Sequence, residues 1–222
     1  MKRLSRRKML GTMAIAPLAG GVLMQVSGQD LNEETISSRE IIRQRYFPNV
    51  VLTTHEGKKV RFYDDLLKDK IVLINMMYAK CEGICTPITM NLKKVQKLLG
   101  DRVGRDIFMY SISLKPEEDT PMKLKHYAHM HRIGPGWLLL TGNPQDLELL
   151  RRKLGFTNPD PKLDADKSQH IGMVRYGNEA LQWWAACPGM SNPSWIAESV
   201  SWVDWPKVQR PASQPVEKGE RK

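Results

Sequence analysis

Residues 76–99 read "MMYAKCEGICTPITMNLKKVQKLL", which puts two of the chain's three cysteines, Cys81 and Cys85, four positions apart where an apolar run gives way to a helical pattern. The run before them, "KIVLINMMYAK", has strand length and is nearly continuous in apolar residues, as in strands buried on both faces of a sheet. After Cys85, the residues Ile88, Leu92, Val95 and Leu99 fall on one helical stripe. The cysteines therefore occupy a strand-to-helix junction. On a helix start, positions four apart share a face, so their sulfurs are expected to converge on one ion or on each other. A helix N-terminus also stabilises thiolate over thiol. Because a thiolate is both a sulfur nucleophile and a soft-metal ligand, a redox pair, a metal clamp and a structural disulfide all remain open on spacing alone.

Moving outward, "NVVLTTHEGKKVRFYDDLL" alternates around Glu56-Gly57 and predicts a β-hairpin. "DIFMYSISL" reads as a strand, and "DTPMKLKHYAHMHRIG" as a helix capped by Thr120 with Pro121 at its first position. The device recurs after the strand "GWLLLTG": Asn143 caps, Pro144 opens and Gly155 stops the helix "NPQDLELLRRKLG". "HIGMVRYGNEALQWWAA" divides into two strands about Gly177-Asn178, and "PSWIAESVSWV" forms a last amphipathic helix. Strands alternating with helices imply an α/β architecture built from right-handed crossovers: a central, mostly parallel sheet flanked by helices, with an N-terminal hairpin and a C-terminal hairpin plus helix. That order is thioredoxin-like. There is no internal repeat and no glycine-rich phosphate loop.

The chain has 222 residues, 41% hydrophobic and 26% charged, which suits one soluble domain with tails. Its formal charge of +10 comes from 34 Lys and Arg against 24 Asp and Glu. Five of those basic residues (Lys2, Arg3, Arg6, Arg7, Lys8) precede any acid, and the 29 that remain are interspersed with acids rather than gathered in a stripe, so nucleic acid is not an expected partner. Residues 1–28, "MKRLSRRKMLGTMAIAPLAGGVLMQVSG", combine a basic start, an apolar middle and small residues before a cleavage point, as signal peptides do. "SRRKML" is similar to the twin-arginine export motif, with Arg6 and Arg7 as the pair. Retention as an uncleaved anchor is the alternative, although Pro17 interrupts a segment already short for a span. Both readings put the body of the protein outside the cytoplasm, in the periplasm. The expected organisation is a signal at 1–28, a linker with a short helical piece at 29–45, the domain at 46–203 and a proline-bearing tail at 204–222.

In an oxidising compartment two adjacent cysteines close into a disulfide unless a reductant or a metal holds them. Two thiolates suit Cu(I), and an added imidazole also accommodates Cu(II). His170, opening a strand after the irregular loop "DADKSQ", is the candidate third ligand. His126, His129 and His131 form a rival cluster, of which the first two share a helical face. Met76 and Met77, inside the buried strand, are read as core, and Cys187 as a small buried hydrophobe. A peroxidase is disfavoured, since CxxxC is a pair and not one isolated peroxide-attacking cysteine.

The series "CEGICTP", "SISLKPEEDTP", "LLLTGNPQDLELLRRKLG" and a histidine opening a strand resembles the SCO/SenC family of thioredoxin-fold copper proteins over roughly residues 46 to 203. The resemblance implies a metallochaperone, more carrier than enzyme, holding one copper as Cu(I) or Cu(II) on Cys81, Cys85 and His170. Its implied partner is the CuA subunit of cytochrome c oxidase or another copper enzyme near the membrane. It also implies a role in thiol–disulfide exchange through Cys81 and Cys85, served by a thiol reductant. Two positions depart from the family pattern: Lys115 stands where many members have an acid, and Gln169 where an aspartate often precedes the histidine. Fewer carboxylates leave less negative charge to offset a cation or engage a basic partner.

Overall fold

The computed structural model describes residues 37–81, 83–167 and 172–204. The signal-like segment, His170 with Gln169, and the tail from residue 205 lie outside the described residues. Seven described strands form one sheet in the order β2-β1-β5-β4-β3-β6-β7: β1 Val51–Thr54, β2 Lys59–Arg61, β3 Ile71–Met77, β4 Ile107–Ser113, β5 Trp137–Gly142, β6 Met173–Asn178 and β7 Trp183–Pro188. Only the inner trio β5-β4-β3 pairs in parallel. The two hairpins, β1–β2 and β6–β7, join antiparallel on either side of it. Among the described residues are six α-helices, α1 Ser38–Tyr46, α2 Cys85–Leu99, α3 Pro121–Met130, α4 Pro144–Lys153, α5 Pro161–Ala165 and α6 Pro193–Trp202, besides a π-helical turn at Phe62–Leu67 and a 3-10 turn at Gly100–Arg102. Among the described residues no helix is long and apolar enough to cross a membrane.

Every residue of β3 is buried, as its apolar run requires of a strand with a neighbour on each side. Its one polar residue, Asn75, accepts the hydroxyl of Ser111 on β4 at 2.7 Å, and that hydroxyl accepts the indole N–H of Trp137 on β5 at 2.9 Å. The parallel trio is thus stitched by a buried network in which each polar side chain has a partner. The α2 stripe Ile88, Leu92, Val95 and Leu99 is buried as expected, each side chain contributing about 1.5–3 kcal/mol through burial. Asn91 on the same helix donates to the carbonyls of Gly189 and Ser191, fastening α2 to the turn that enters α6. The caps predicted at Thr120 and Asn143 form, with Pro121 and Pro144 opening their helices, and Gly155 ends α4 at φ +70°.

The last hairpin turns later than its Gly177-Asn178 suggests. Both residues are paired within β6, and the chain reverses over 179–182. Gly177 serves close packing instead: a Cβ there would lie 2.4 Å from the carbonyl oxygen of Trp183 and 2.4 Å from the Trp184 ring.

Helix α1, inside the stretch read as linker, is tied to this reversal. Arg39 donates through Nε to Glu179 at 2.9 Å and through Nη2 to the second carboxylate oxygen. Glu179 is fully buried and also accepts from the Tyr63 hydroxyl and the Asp69 N–H. Burial pushes its pKa up, but the bonds from Arg39, Asp69 and Tyr63 outweigh this and hold it below the ordinary value. Such a carboxylate stabilises the fold above its unfolded pKa, and that stability is lost as pH falls through the lower folded value. Arg39→Met leaves the charge buried with weaker compensation. Removing one partner of a fully buried pair costs 3–5 kcal/mol; because Arg39 is 37% exposed, the expected loss is about 2 kcal/mol. It would be read at neutral pH as a lower urea midpoint at unchanged m, with the difference from wild type shrinking as pH falls and Glu179 is protonated.

Candidate functional site

The loop from Tyr78 to Ile84 leaves the carboxyl end of β3, at the centre of the sheet, where α/β folds open their crevices. Its geometry differs from the helical spacing argument. Cys85 is the first residue of α2, but Cys81 stands outside the helix, in a turn closed by its N–H on the Tyr78 carbonyl at 3.2 Å. The helix starts on Ile84, which offers no capping side chain. The sulfur of Cys81 fills that role by accepting the backbone N–H groups of Gly83 and Cys85, so the loop and not the helical repeat brings the thiols together. A side chain that caps a helix must lie before it, which is why Cys81 cannot also be on its face.

Both thiols are buried, Cys85 almost completely, and neither is in a disulfide. For Cys81, burial opposes ionisation, but hydrogen bonds from the Cys85 thiol, from the N–H groups of Cys85 and Gly83 and from the Tyr78 hydroxyl bring its pKa below the ordinary thiol value. For Cys85, burial comes first and its proton shared with Cys81 second; both push its pKa well up, against the N–H of Tyr78. The two thiols are thus shifted in opposite directions, and Cys81 is the one that ionises first. The Tyr78 hydroxyl is pushed up to about 12 by burial and by its bond to Cys81, so it stays a donor.

Three residues not singled out from the sequence build this loop. Asp119, buried, accepts the Ala79 N–H at 3.1 Å and the Ser113 hydroxyl at 2.6 Å, clamping the loop to the end of β4. Tyr127 on α3 shares a 2.9 Å hydrogen bond with Thr89 on α2. Tyr78 carries Lys115 over its ring at 4.4 Å, and the same ammonium pairs with Glu118 at 3.6 Å. The family departure at Lys115 therefore adds a cation one side chain away from Cys81. Tyr78→Phe keeps the ring under Lys115 but deletes the donor, so the pH profile of Cys81 alkylation, followed by site-resolved mass spectrometry, should move to higher pH.

His170 and Gln169 lie outside the described residues. The chain on their carboxyl side does reach this end of the sheet, since Val174 pairs with Asn75 near the end of β3. Gly172 packs so closely on the loop that a Cβ there would come within 2.6 Å of Ile84 Cδ1 and 2.8 Å of Ile88 Cδ1. The histidines of α3 do not gather. His129 faces a groove with His55, while His126 and His131 face another, because a three-residue step falls short of a full helical turn and the two positions straddle an edge. Among the described residues no three His, Cys, Asp or Glu side chains group to hold a metal. Cys187 is core, its thiol pushed up to about 11 by burial.

With this geometry in place, the chain can be compared with known proteins. The profile of the SCO1/SenC family matches residues 40–203. Over 91 residues the chain is 33% identical to a SCO1 protein homolog of Bacillus subtilis (strain 168), covering 40% of this chain and 46% of that one. The chain thus spans less than half the length of that curated relative. The structure of Bradyrhizobium japonicum ScoI with copper bound superposes with a TM-score of 0.56 at 22% identity, over 69% of this chain and 96% of that one. A structure identifying a disulfide switch in BsSco, a member of the Sco family of cytochrome c oxidase assembly proteins, gives 0.58 at 24% identity, over 71% and 92%. These likenesses establish the thioredoxin-like fold, and with a profile match over well more than half of the sequence the chain belongs to the SCO1/SenC family.

Proposed function

We propose that this protein is a copper metallochaperone that takes one copper on Cys81, Cys85 and His170 and delivers it to the CuA centre of cytochrome c oxidase or to a related copper enzyme. The observation that carries the reading is the pair of adjoining buried sulfurs in a loop at the carboxyl end of β3, where backbone N–H groups and the Tyr78 hydroxyl bring the Cys81 pKa below the ordinary thiol value. Copper is the cargo here, and two soft sulfurs are the donor set that Cu(I) favours. The third ligand is supported by reach: two residues span at most about 7 Å, and Gly172 already lies against Ile84, next to Cys85. Copper-bound B. japonicum ScoI, of similar fold, is consistent with it.

A thiol–disulfide reductase acting on the cysteines of a copper-enzyme target is the second reading. It is favoured by the asymmetry of the pair, since one thiol with a lowered pKa beside one with a raised pKa is what exchange needs. Cells lacking the chain should lose oxidase activity when copper is limiting and regain it with the wild-type gene. Unimpaired oxidase in those cells would remove cytochrome c oxidase as the target in both readings.

The domain works in the periplasm, exported through the twin-arginine-like segment. Arg6→Lys with Arg7→Lys should strand the precursor in the cytoplasm, because the signal is read by a receptor and not by its charge alone. Normal export of that variant would point to the general secretory route.

A further inference from the structure

Helix α3 exposes two methionines that its fold does not use. Met122 is 78% and Met130 64% exposed, although methionine is ordinarily core filler, as Met76 and Met77 are in β3. Between them stands His126, so the sequence Met-x3-His-x3-Met puts three donors at i, i+4 and i+8 along one helix face, with Cβ atoms about 5–6 Å from one to the next. All three line a single, mostly apolar groove of about 570 Å³. The same groove is lined by Ala79 and Lys80, the two residues that precede Cys81. His131 faces the same space, with its ring 4.1 Å from that of Tyr127.

Thioether sulfur and neutral imidazole form a soft, uncharged donor set, the kind that selects Cu(I) over hard or divalent ions. The charged side chains lining the groove, Lys80 and Lys123 with the buried Asp119, carry more positive than negative groups and press the same way, since excess positive charge opposes a dication more than a monocation. We propose that Met122, His126 and Met130 form a second, weaker Cu(I) site, at which copper lands before it passes to Cys81 and Cys85. The passage is a ligand exchange without redox change: bonds from copper to thioether and imidazole break, bonds to the two sulfurs of the loop form, and the protons those sulfurs carry leave to solvent. It runs downhill because thiolates bind Cu(I) more tightly than neutral thioethers do. The passage to the cysteines rests on the copper reading above, whereas the existence of the site does not.

The test uses the full chain carrying Cys81→Ser and Cys85→Ser, titrated anaerobically with Cu(I) against a chromophoric chelator. One Cu(I) per chain should bind, and adding Met122→Leu and Met130→Leu should weaken it about 100-fold or more, beyond the 10–100-fold typical of losing an outer-shell partner. Leucine keeps volume and helix preference, so the urea midpoint should not move, and His126→Ala provides an independent loss. With 13C-methyl methionine labelling, Cu(I) should shift the Met122 and Met130 signals and leave those of Met76 and Met77 in place. Absence of Cu(I) binding in the chain carrying Cys81→Ser and Cys85→Ser, or binding indifferent to the leucine substitutions, would overturn the site. If the wild-type loop takes copper in that event, the chaperone reading stands alone; if the loop takes none while the methionine site binds, only the chaperone reading falls.

Discussion

Replacing either Cys81 or Cys85 by serine is expected to abolish tight copper binding. A hydroxyl at neutral pH is neither ionised nor soft, so each substitution removes a donor that no neighbouring side chain replaces. The loss should well exceed the 10–100-fold that follows removal of an outer-shell partner. The two variants should nevertheless differ in other respects. In Cys81→Ser the hydroxyl can still accept the N–H groups of Gly83 and Cys85, so the start of α2 should survive, and the remaining Cys85 thiol, buried and with its pKa pushed up, should alkylate slowly. In Cys85→Ser, Cys81 keeps its backbone and Tyr78 donors and should remain the reactive thiol. Cys187→Ser should bind copper as the wild type does, because that thiol is packed in the core. Equilibrium competition for Cu(I) on the reduced proteins, read alongside thiol alkylation, checks each outcome; wild-type copper affinity in either Cys81→Ser or Cys85→Ser would count against the site.

His170→Ala separates the two functional readings. An imidazole contributes more to Cu(II), which prefers nitrogen and higher coordination, than to Cu(I), which two sulfurs can satisfy. Cu(II) affinity should therefore fall by at least about 100-fold while part of the Cu(I) binding remains. Thiol–disulfide exchange depends on the thiolate and its access, so its rate should not change. Oxidase assembly under limiting copper should be lost with thiol reactivity intact. Complementation at the wild-type level would favour the reductase instead.

Much of the fold is legible because its signals are local. The burial of β3 follows from an unbroken apolar run, and the starts of α3 and α4 from a capping side chain followed by proline. What escapes a linear reading depends on where the backbone goes between such signals. The position of Cys81 before the helix was hidden because Ile84, at the start of α2, carries no capping side chain, so CxxxC reads as a helical repeat when it is a loop and a first turn. In "PEEDTP" nothing marks the third acid over the first two, yet only Asp119 turns inward to hold Ala79. Glu179 looks like an ordinary turn acid until Arg39, 140 positions earlier, is found against it, and the same contact ties α1 to the turn of the last hairpin. Gly177 misleads for a related reason, since its missing side chain makes room for the facing strand and not for a turn.

The most direct test of the copper claim is the metal content of the reduced full chain after anaerobic loading, with Cu(I) and with Cu(II) separately, followed by gel filtration to strip weakly held ions, including any on the methionine face of α3. One copper per chain should remain on the wild type, and none on the chain carrying both Cys81→Ser and Cys85→Ser. A wild-type chain that emerges without copper, or a doubly substituted chain that keeps its copper, would contradict the account.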